Sequence, residues 1–111
     1  TTRDPTFPNP DGPWPASGAL LAAVEYACGR EADLVVGKPA VAMYETARAH
    51  MEAERILVVG DRLDTDIAGG AAAGHDTALV LTGGSAAGDI EAAPVKPTHV
   101  APSIRDLLLD S

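Results

Sequence analysis

An α/β fold, a parallel sheet with helices on its faces, is predicted from residue 34 onward by three observations. Short apolar runs stand at Leu34-Val35-Val36 and Ile56-Leu57-Val58-Val59, and the second, with no alternation, suits a strand buried on both faces. Between and after them, apolar residues recur at helical spacing. Gly and Pro punctuate the joins, as at Gly37-Lys38-Pro39, Gly60 and Gly74. Strand and helix in alternation build parallel sheets covered by helices.

Taken in order, residues 1–15 read as a Pro-rich loop with turn signals at Asn9-Pro10-Asp11-Gly12. Ser17 is placed to cap a helix whose apolar face is Leu20, Leu21, Val24 and Cys28, and Gly29 closes it. Leu34 to Gly37 reads as a short strand ending at Lys38-Pro39, with Pro39 suited to the first turn of the next helix. That helix aligns Ala40, Met43, Tyr44, Ala47 and Met51, with Glu45, Arg48 and Glu52 outward. After the strand at 56–59, Asp64 or Thr65 is placed to cap a helix through Ala73, which Gly74 stops. Thr77 to Leu81 predicts another strand, running into Thr82-Gly83-Gly84-Ser85. A turn near Asp89, a short strand at His99-Val100 and a helix opened by Ser103-Ile104-Arg105-Asp106 complete the chain.

Composition narrows the function. The 111 residues are 46% hydrophobic but only 4% aromatic, so the core is expected to be aliphatic. A formal charge of −8, with no run of Lys or Arg, lacks the footprint of a nucleic-acid binder. The single cysteine, Cys28, forms no internal disulfide, reads as core, and belongs to no zinc spacing. No apolar run approaches a bilayer span, and no signal peptide is visible, so the expected setting is reducing and cytoplasmic. The chain opens at Thr1 without an initiator Met and reads as part of something longer.

Ligands of parallel sheets gather at the carboxyl ends of the strands, and Lys38, Asp61 and the Thr82–Gly84 loop all fall there. Asp61, Asp64 and Asp66 crowd within one turn and repel one another unless a cation intervenes; magnesium, which prefers hard oxygen ligands, is the natural one. Asp64 and Asp66 read equally as helix-capping acids. Lys38 reads either as a cation facing phosphate or as an ordinary turn lysine. His50, His75 and His99 have no partner pattern, Trp14 reads as a packing anchor, and Arg3 and Arg62 read as solvated cations.

Gly37-Lys38-Pro39 followed by Gly60-Asp61-Arg62-Leu63-Asp64-Thr65-Asp66-Ile67 resembles the C-terminal half of a haloacid-dehalogenase (HAD) superfamily phosphatase. Within it, the pattern is closest to the NagD-like and 4-nitrophenylphosphatase-like branch that carries a large α/β cap. The likeness runs almost the full chain: Thr1 to Asp4 with Phe7-Pro8 resembles the end of the cap, Ser17 to Arg30 its last helix, and Val80-Leu81-Thr82-Gly83 the strand and loop after the acidic motif. Thr2 stands where the branch commonly has Asn. The resemblance implies residues 1–33 as cap and 34–111 as part of a Rossmann-like core. It implies Lys38 as the lysine that steadies the nucleophile and the transferring phosphoryl group, Asp61 as magnesium ligand, and Asp66 as a catalytic and metal-supporting acid. Arg62 is a weaker candidate for substrate contact. The implied reaction is hydrolysis of a small phosphorylated metabolite through an aspartyl-phosphate, assisted by Mg2+.

The family's Asp-x-Asp-Gly stretch after an apolar strand, which supplies the nucleophile, is absent from these residues, as is its Ser/Thr motif. In the family the strand at 56–59 lies beside the nucleophile strand. The expectation is therefore that an N-terminal half, or another chain (a second copy included), completes the sheet, and that residues 1–111 alone are inactive. Two other function classes stand beside this one. A phospho-acceptor signalling domain places its lysine after the acceptor aspartate, whereas Lys38 precedes Asp61. A non-catalytic remnant used for binding or oligomerisation would keep the fold without the chemistry.

Overall fold

The sheet that organises the chain is three-stranded and parallel, formed by β3 (Leu57–Gly60), β4 (Asp76–Val80) and β5 (His99–Ala101) in that spatial order. Ahead of it stand β1 (Thr6–Phe7) and β2 (Trp14–Pro15), then α1 (Ser17–Cys28) and α2 (Val41–His50). This computed structural model describes residues 2–109. Thr1 and residues 110–111, the outer ends of the two segments expected from the sequence, lie outside them.

Between β3 and β4 the chain makes a π-helical turn, Leu63–Ile67, that runs into α3 (Ala68–Ala72). Gly74, at φ 80°, ends the helical stretch as expected. Between β4 and β5 a long connection contains only one 3-10 turn, Ala87–Asp89. α4 (Ile104–Leu109) follows β5. Ser103 opens it as expected: its hydroxyl lies 2.6 Å from an Asp106 carboxylate oxygen and accepts the Asp106 N–H.

β4 holds the centre of the sheet, and Thr77 to Val80 are all buried. Leu63, Ile67 and Leu79 form the core, with Leu81, Ile90, Ala93 and Val95 packed against them. This core is aliphatic, as the composition requires. Thr77 pays for its burial with reciprocal bonds to Thr98: each backbone N–H donates to the other's hydroxyl, at 3.0 and 3.2 Å.

α3 is built of Ala and Gly because it lies flush on its neighbours. A Cβ at Gly69 would stand 2.7 Å from the Tyr44 ring and 2.9 Å from the Pro39 carbonyl oxygen. Gly70 meets Val58 and Thr77 just as closely. Gly69→Ala gains about 1 kcal/mol of helix propensity. Overpacking against a backbone carbonyl is expected to exceed that gain, for a net loss of about 1–2 kcal/mol in urea unfolding.

Several expectations need correction. Leu34 to Val36 form no strand: Leu34 and Val36 are 71% and 54% exposed, and no described strand lies alongside to take their hydrogen bonds. β3 is not buried on both faces: Leu57 and Val59, on one face, are exposed, and the strand also lies at the sheet edge among the described residues. The α1 apolar stripe is also uncovered. No α1 residue is buried, and Cys28 is exposed rather than core. Ser17 lies inside that helix, whose cap position is Ala16, while Gly29 closes it at φ 66°. Residues 1–15 contain a short antiparallel pairing, β1 with β2, on which Trp14 meets Phe7 edge-on at 6.2 Å. Pro39 precedes α2, in a cis bond to Lys38, and the α2 cap position is Ala40. No helix among the described residues is long and apolar enough to cross a membrane.

Candidate active site

Because β3 and β4 run parallel in register, with Gly60 opposite Leu79, the loops that follow them leave the sheet on the same side. The acidic turn at 61–66 follows β3, and the 81–85 loop follows β4. Lys38 reaches the same place from the segment before α2. The three strand-end features singled out in the sequence therefore meet, although the Lys38 segment is itself no strand.

Asp66 joins them. One carboxylate oxygen, Oδ1, accepts from Lys38 Nζ at 2.6 Å. The other, Oδ2, accepts the backbone N–H of Asp61 at 3.2 Å and of Arg62 at 3.1 Å. The Tyr44 hydroxyl donates to the Asp66 carbonyl at 3.4 Å. Asp66 is 6% exposed, so these donors compensate a charge that burial would otherwise penalise. A side chain at Gly60 would collide with it.

The π-turn makes this geometry possible. Arg62 C=O accepts from both Asp66 N–H and Ile67 N–H at 3.1 Å, and the widened turn lets the Asp66 side chain fold back under the loop. Asp66 thus accepts the N–H groups just ahead of the turn, whereas the first N–H of the turn, that of Leu63, goes to the Ser85 hydroxyl rather than to Asp64 or Thr65. The N-cap residue is Arg62, with no side-chain cap of its own.

Asp61 faces the 81–85 loop. Its Oδ2 accepts the Gly84 N–H at 2.7 Å, and its carbonyl accepts the Ser85 N–H at 2.9 Å. The Ser85 hydroxyl in turn accepts Leu63 N–H at 3.0 Å. Any Cβ at Gly83 would strike the Asp61 carboxylate, so this approach requires glycine.

Arg62 and Asp64 form a bidentate pair, at 3.0 and 2.9 Å, and Arg62 Nε lies 3.5 Å from Asp4 Oδ1. Arg62 is therefore not a solvated cation, and its guanidinium is committed to two carboxylates. Arg3 is paired too, with Glu25 at 3.2 Å.

Charge follows this geometry. Burial works against the Lys38 ammonium, but the hydrogen bond and charge of Asp66, with the charge of Asp4, outweigh it and hold it above the ordinary 10.5. Burial first, then the Asp66 charge, raises the Tyr44 phenol. The Arg62 hydrogen bond lowers the Asp64 carboxyl.

Whether these residues suit magnesium depends on spare oxygen. Asp66 has both oxygens occupied by protein donors, and Asp64 is engaged by Arg62. Asp61 has one oxygen on Gly84 and, among the described residues, no hydrogen bond to Oδ1. No group of three or more His, Cys, Asp or Glu side chains among the described residues converges to cage a metal. The donor set fits magnesium as a single carboxylate ligand, the remaining positions being left to water, phosphate and other carboxylates.

Sequence reasoning missed Asp4 as a member of this site. Asp4 accepts from the buried Thr65 hydroxyl at 2.6 Å across 61 positions, and no local spacing announces such a contact. Tyr44 was visible only as an apolar position of α2 and Ser85 only as a loop residue.

The family model for HAD-like hydrolases matches residues 35–107, which contain Lys38, Asp61 and Asp66. The chain belongs to this family. Among curated relatives of this HAD-like chain, a D-glycerol 3-phosphate phosphatase of Mycobacterium tuberculosis is 44% identical over 97% of the chain and 31% of its own length. The ribonucleotide monophosphatase NagD of Escherichia coli is 41% identical over 89% of the chain and 42% of its own length. Among solved structures, a glycerol phosphate phosphatase of M. tuberculosis in complex with magnesium superimposes with a TM-score of 0.82 at 42% identity, over 94% of this chain and 32% of that one. A p-nitrophenyl phosphatase of Archaeoglobus fulgidus gives 0.80 at 37% identity, over 99% and 44%. The chain thus spans from about a third to under half the length of these relatives.

Proposed function

We propose that this chain supplies the lysine and one metal-binding acid of a magnesium-dependent phosphatase that hydrolyses a small phosphate monoester through an aspartyl-phosphate. The observation that carries the reading is the Asp66 carboxylate, which holds Lys38 with one oxygen and the Asp61 backbone with the other. Two segments more than twenty residues apart are thereby fixed at one sheet end inside the family match. Relatives named as phosphatases, one of them crystallised with magnesium, support the same reaction class.

In this reading Lys38 neutralises charge on the phosphoryl group, and Asp66 orients Lys38 rather than binding metal itself. Asp66 thus supports the metal only through the Asp61 backbone it fixes. Asp61 offers its Oδ1 to magnesium, and the Gly83-Gly84 turn sets the plane of its carboxylate. Magnesium, when bound, supplies positive charge at the phosphoryl oxygens. Arg62 is left out of substrate contact because Asp64 and Asp4 occupy it.

The nucleophilic aspartate is assigned to polypeptide outside residues 1–111. The edge position of β3, with Leu57 44% and Val59 37% exposed, supports a further strand alongside it. Residues 1–33 are assigned to the cap side and 34–111 to the core. The seam between them is tied by the Arg3 N–H, which donates to the Lys38 carbonyl at 3.0 Å.

Hydrolysis of 4-nitrophenyl phosphate tests the reading. The expected result is turnover by the full-length protein with magnesium, abolished by chelation, and none by residues 1–111 alone. An inactive full-length protein would favour the non-catalytic remnant.

A further inference from the structure

Resting on the phosphatase reading of Lys38, we propose that Asp4 is a positioning residue, the second carboxylate of a clamp whose first is Asp66. The segment at residues 2–5 thereby sets the placement of the phosphoryl-binding ammonium.

Asp4 divides its oxygens. Oδ1 accepts from the Thr65 hydroxyl at 2.6 Å and lies 3.5 Å from Arg62 Nε. Oδ2 lies 3.8 Å from Lys38 Nζ, within ion-pair reach but beyond a hydrogen bond. The donor that aims it is itself fixed, since Thr65 is only 3% exposed. The backbone of Asp4 is held as well: its carbonyl accepts the Gly18 N–H at 2.9 Å, and its N–H donates to the Thr2 hydroxyl at 3.3 Å. With Asp4 17% and Lys38 27% exposed at the side chain, their attraction is less screened than that of a surface pair.

A lysine is a point charge on a flexible stem, and one partner leaves that stem free to swing. Asp66 holds it by a hydrogen bond, and Asp4 draws it by charge from a separate segment. Because the Asp4 contact is no hydrogen bond, it leaves donors on the ammonium for a phosphoryl oxygen.

A purely mechanical role, pegging residues 2–5 to the core, would need only an acceptor for Thr65. Asparagine supplies that acceptor without the charge, so the two roles separate. The chain has only two lysines, Lys38 and Lys96, and Lys96 Nζ is held by the backbone carbonyls of Ile90, Glu91 and Ala93. Brief acetylation with acetic anhydride, read by peptide mass spectrometry as the Lys38 to Lys96 ratio, therefore carries its own reference. In Asp4→Asn the ratio is expected to rise about three- to tenfold, as for two groups coupled in one charge network. In Thr65→Val, which removes the peg and keeps the charge, it is expected to rise less than half as much. An unchanged ratio in Asp4→Asn, or an equal rise in both variants, overturns the proposal whether or not the protein hydrolyses phosphate esters. In the full-length enzyme, Asp4→Asn is expected to lower kcat about tenfold while KM moves less than about threefold. A fall in thermal stability with kcat intact would mark Asp4 as a peg only. Absence of turnover in the unmutated protein would sink the phosphatase reading and leave the labelling ratio to judge the clamp.

Discussion

Lys38→Met is expected to lower kcat of the full-length protein on 4-nitrophenyl phosphate by about 10²–10³-fold, the usual cost of removing one preorganised group that meets transition-state charge. It also leaves Asp66 buried without its cation. Loss of one partner of a buried pair costs about 3–5 kcal/mol, and here the cost should fall at or below the low end because Lys38 is 27% exposed. Circular dichroism and urea unfolding at working temperature separate the two effects. Lys38→Arg should restore charge but not rate, since a planar fork does not replace a compact ammonium on a flexible four-carbon stem. A Met variant that is folded and fully active would remove Lys38 from the chemistry. The same pair has a pH signature. The Lys38 value is raised in the folded state, so its stabilisation is complete below the unfolded value near 10.5 and fades as pH rises through the folded one.

Asp61→Asn has the second large expected effect. The amide keeps an oxygen for the Gly84 N–H, so the 81–85 loop should stay in place. What disappears is the carboxylate charge. Magnesium titrated against activity should act at concentrations about 10–100-fold higher, with kcat lowered as well. Asp64→Asn is the matched control from the same turn. Its side chain is 57% exposed and its ion-pair partner is Arg62, so its loss should change stability by no more than about 1 kcal/mol. Equal magnesium dependence in the Asp61 and Asp64 variants would contradict the division of labour among the three acids.

That division was only partly legible in the sequence. The positions of Lys38 and Asp61 follow from local punctuation, a Gly at the end of an apolar run and then a polar residue, and local order decides such features. Which acid takes which role does not. Asp66 becomes the inner acid because a π-turn folds it beneath Gly60, a geometry with no sequence period of its own. The parallel sheet was legible at β3, β4 and β5, where apolar runs alternate with helical stretches. It was misread at Leu34 to Val36, because an apolar run becomes a strand only where another strand accepts its hydrogen bonds. Burial was misjudged on α1 for a related reason. An amphipathic stripe shows that a face can be covered, yet Leu20 and Val24 are 67% and 60% exposed. Asp4 was beyond reach, since its contacts with Thr65 and Lys38 join distant parts of the chain through tertiary structure alone.

A crystal structure of the full-length protein with magnesium and an inorganic phosphate analogue tests the site most directly. The expected result is magnesium at about 2.0–2.1 Å from an Asp61 carboxylate oxygen, with Lys38 Nζ hydrogen-bonded to the phosphate and still in contact with Asp66. Magnesium held by Asp64, or phosphate bound away from Lys38, would contradict the assignment.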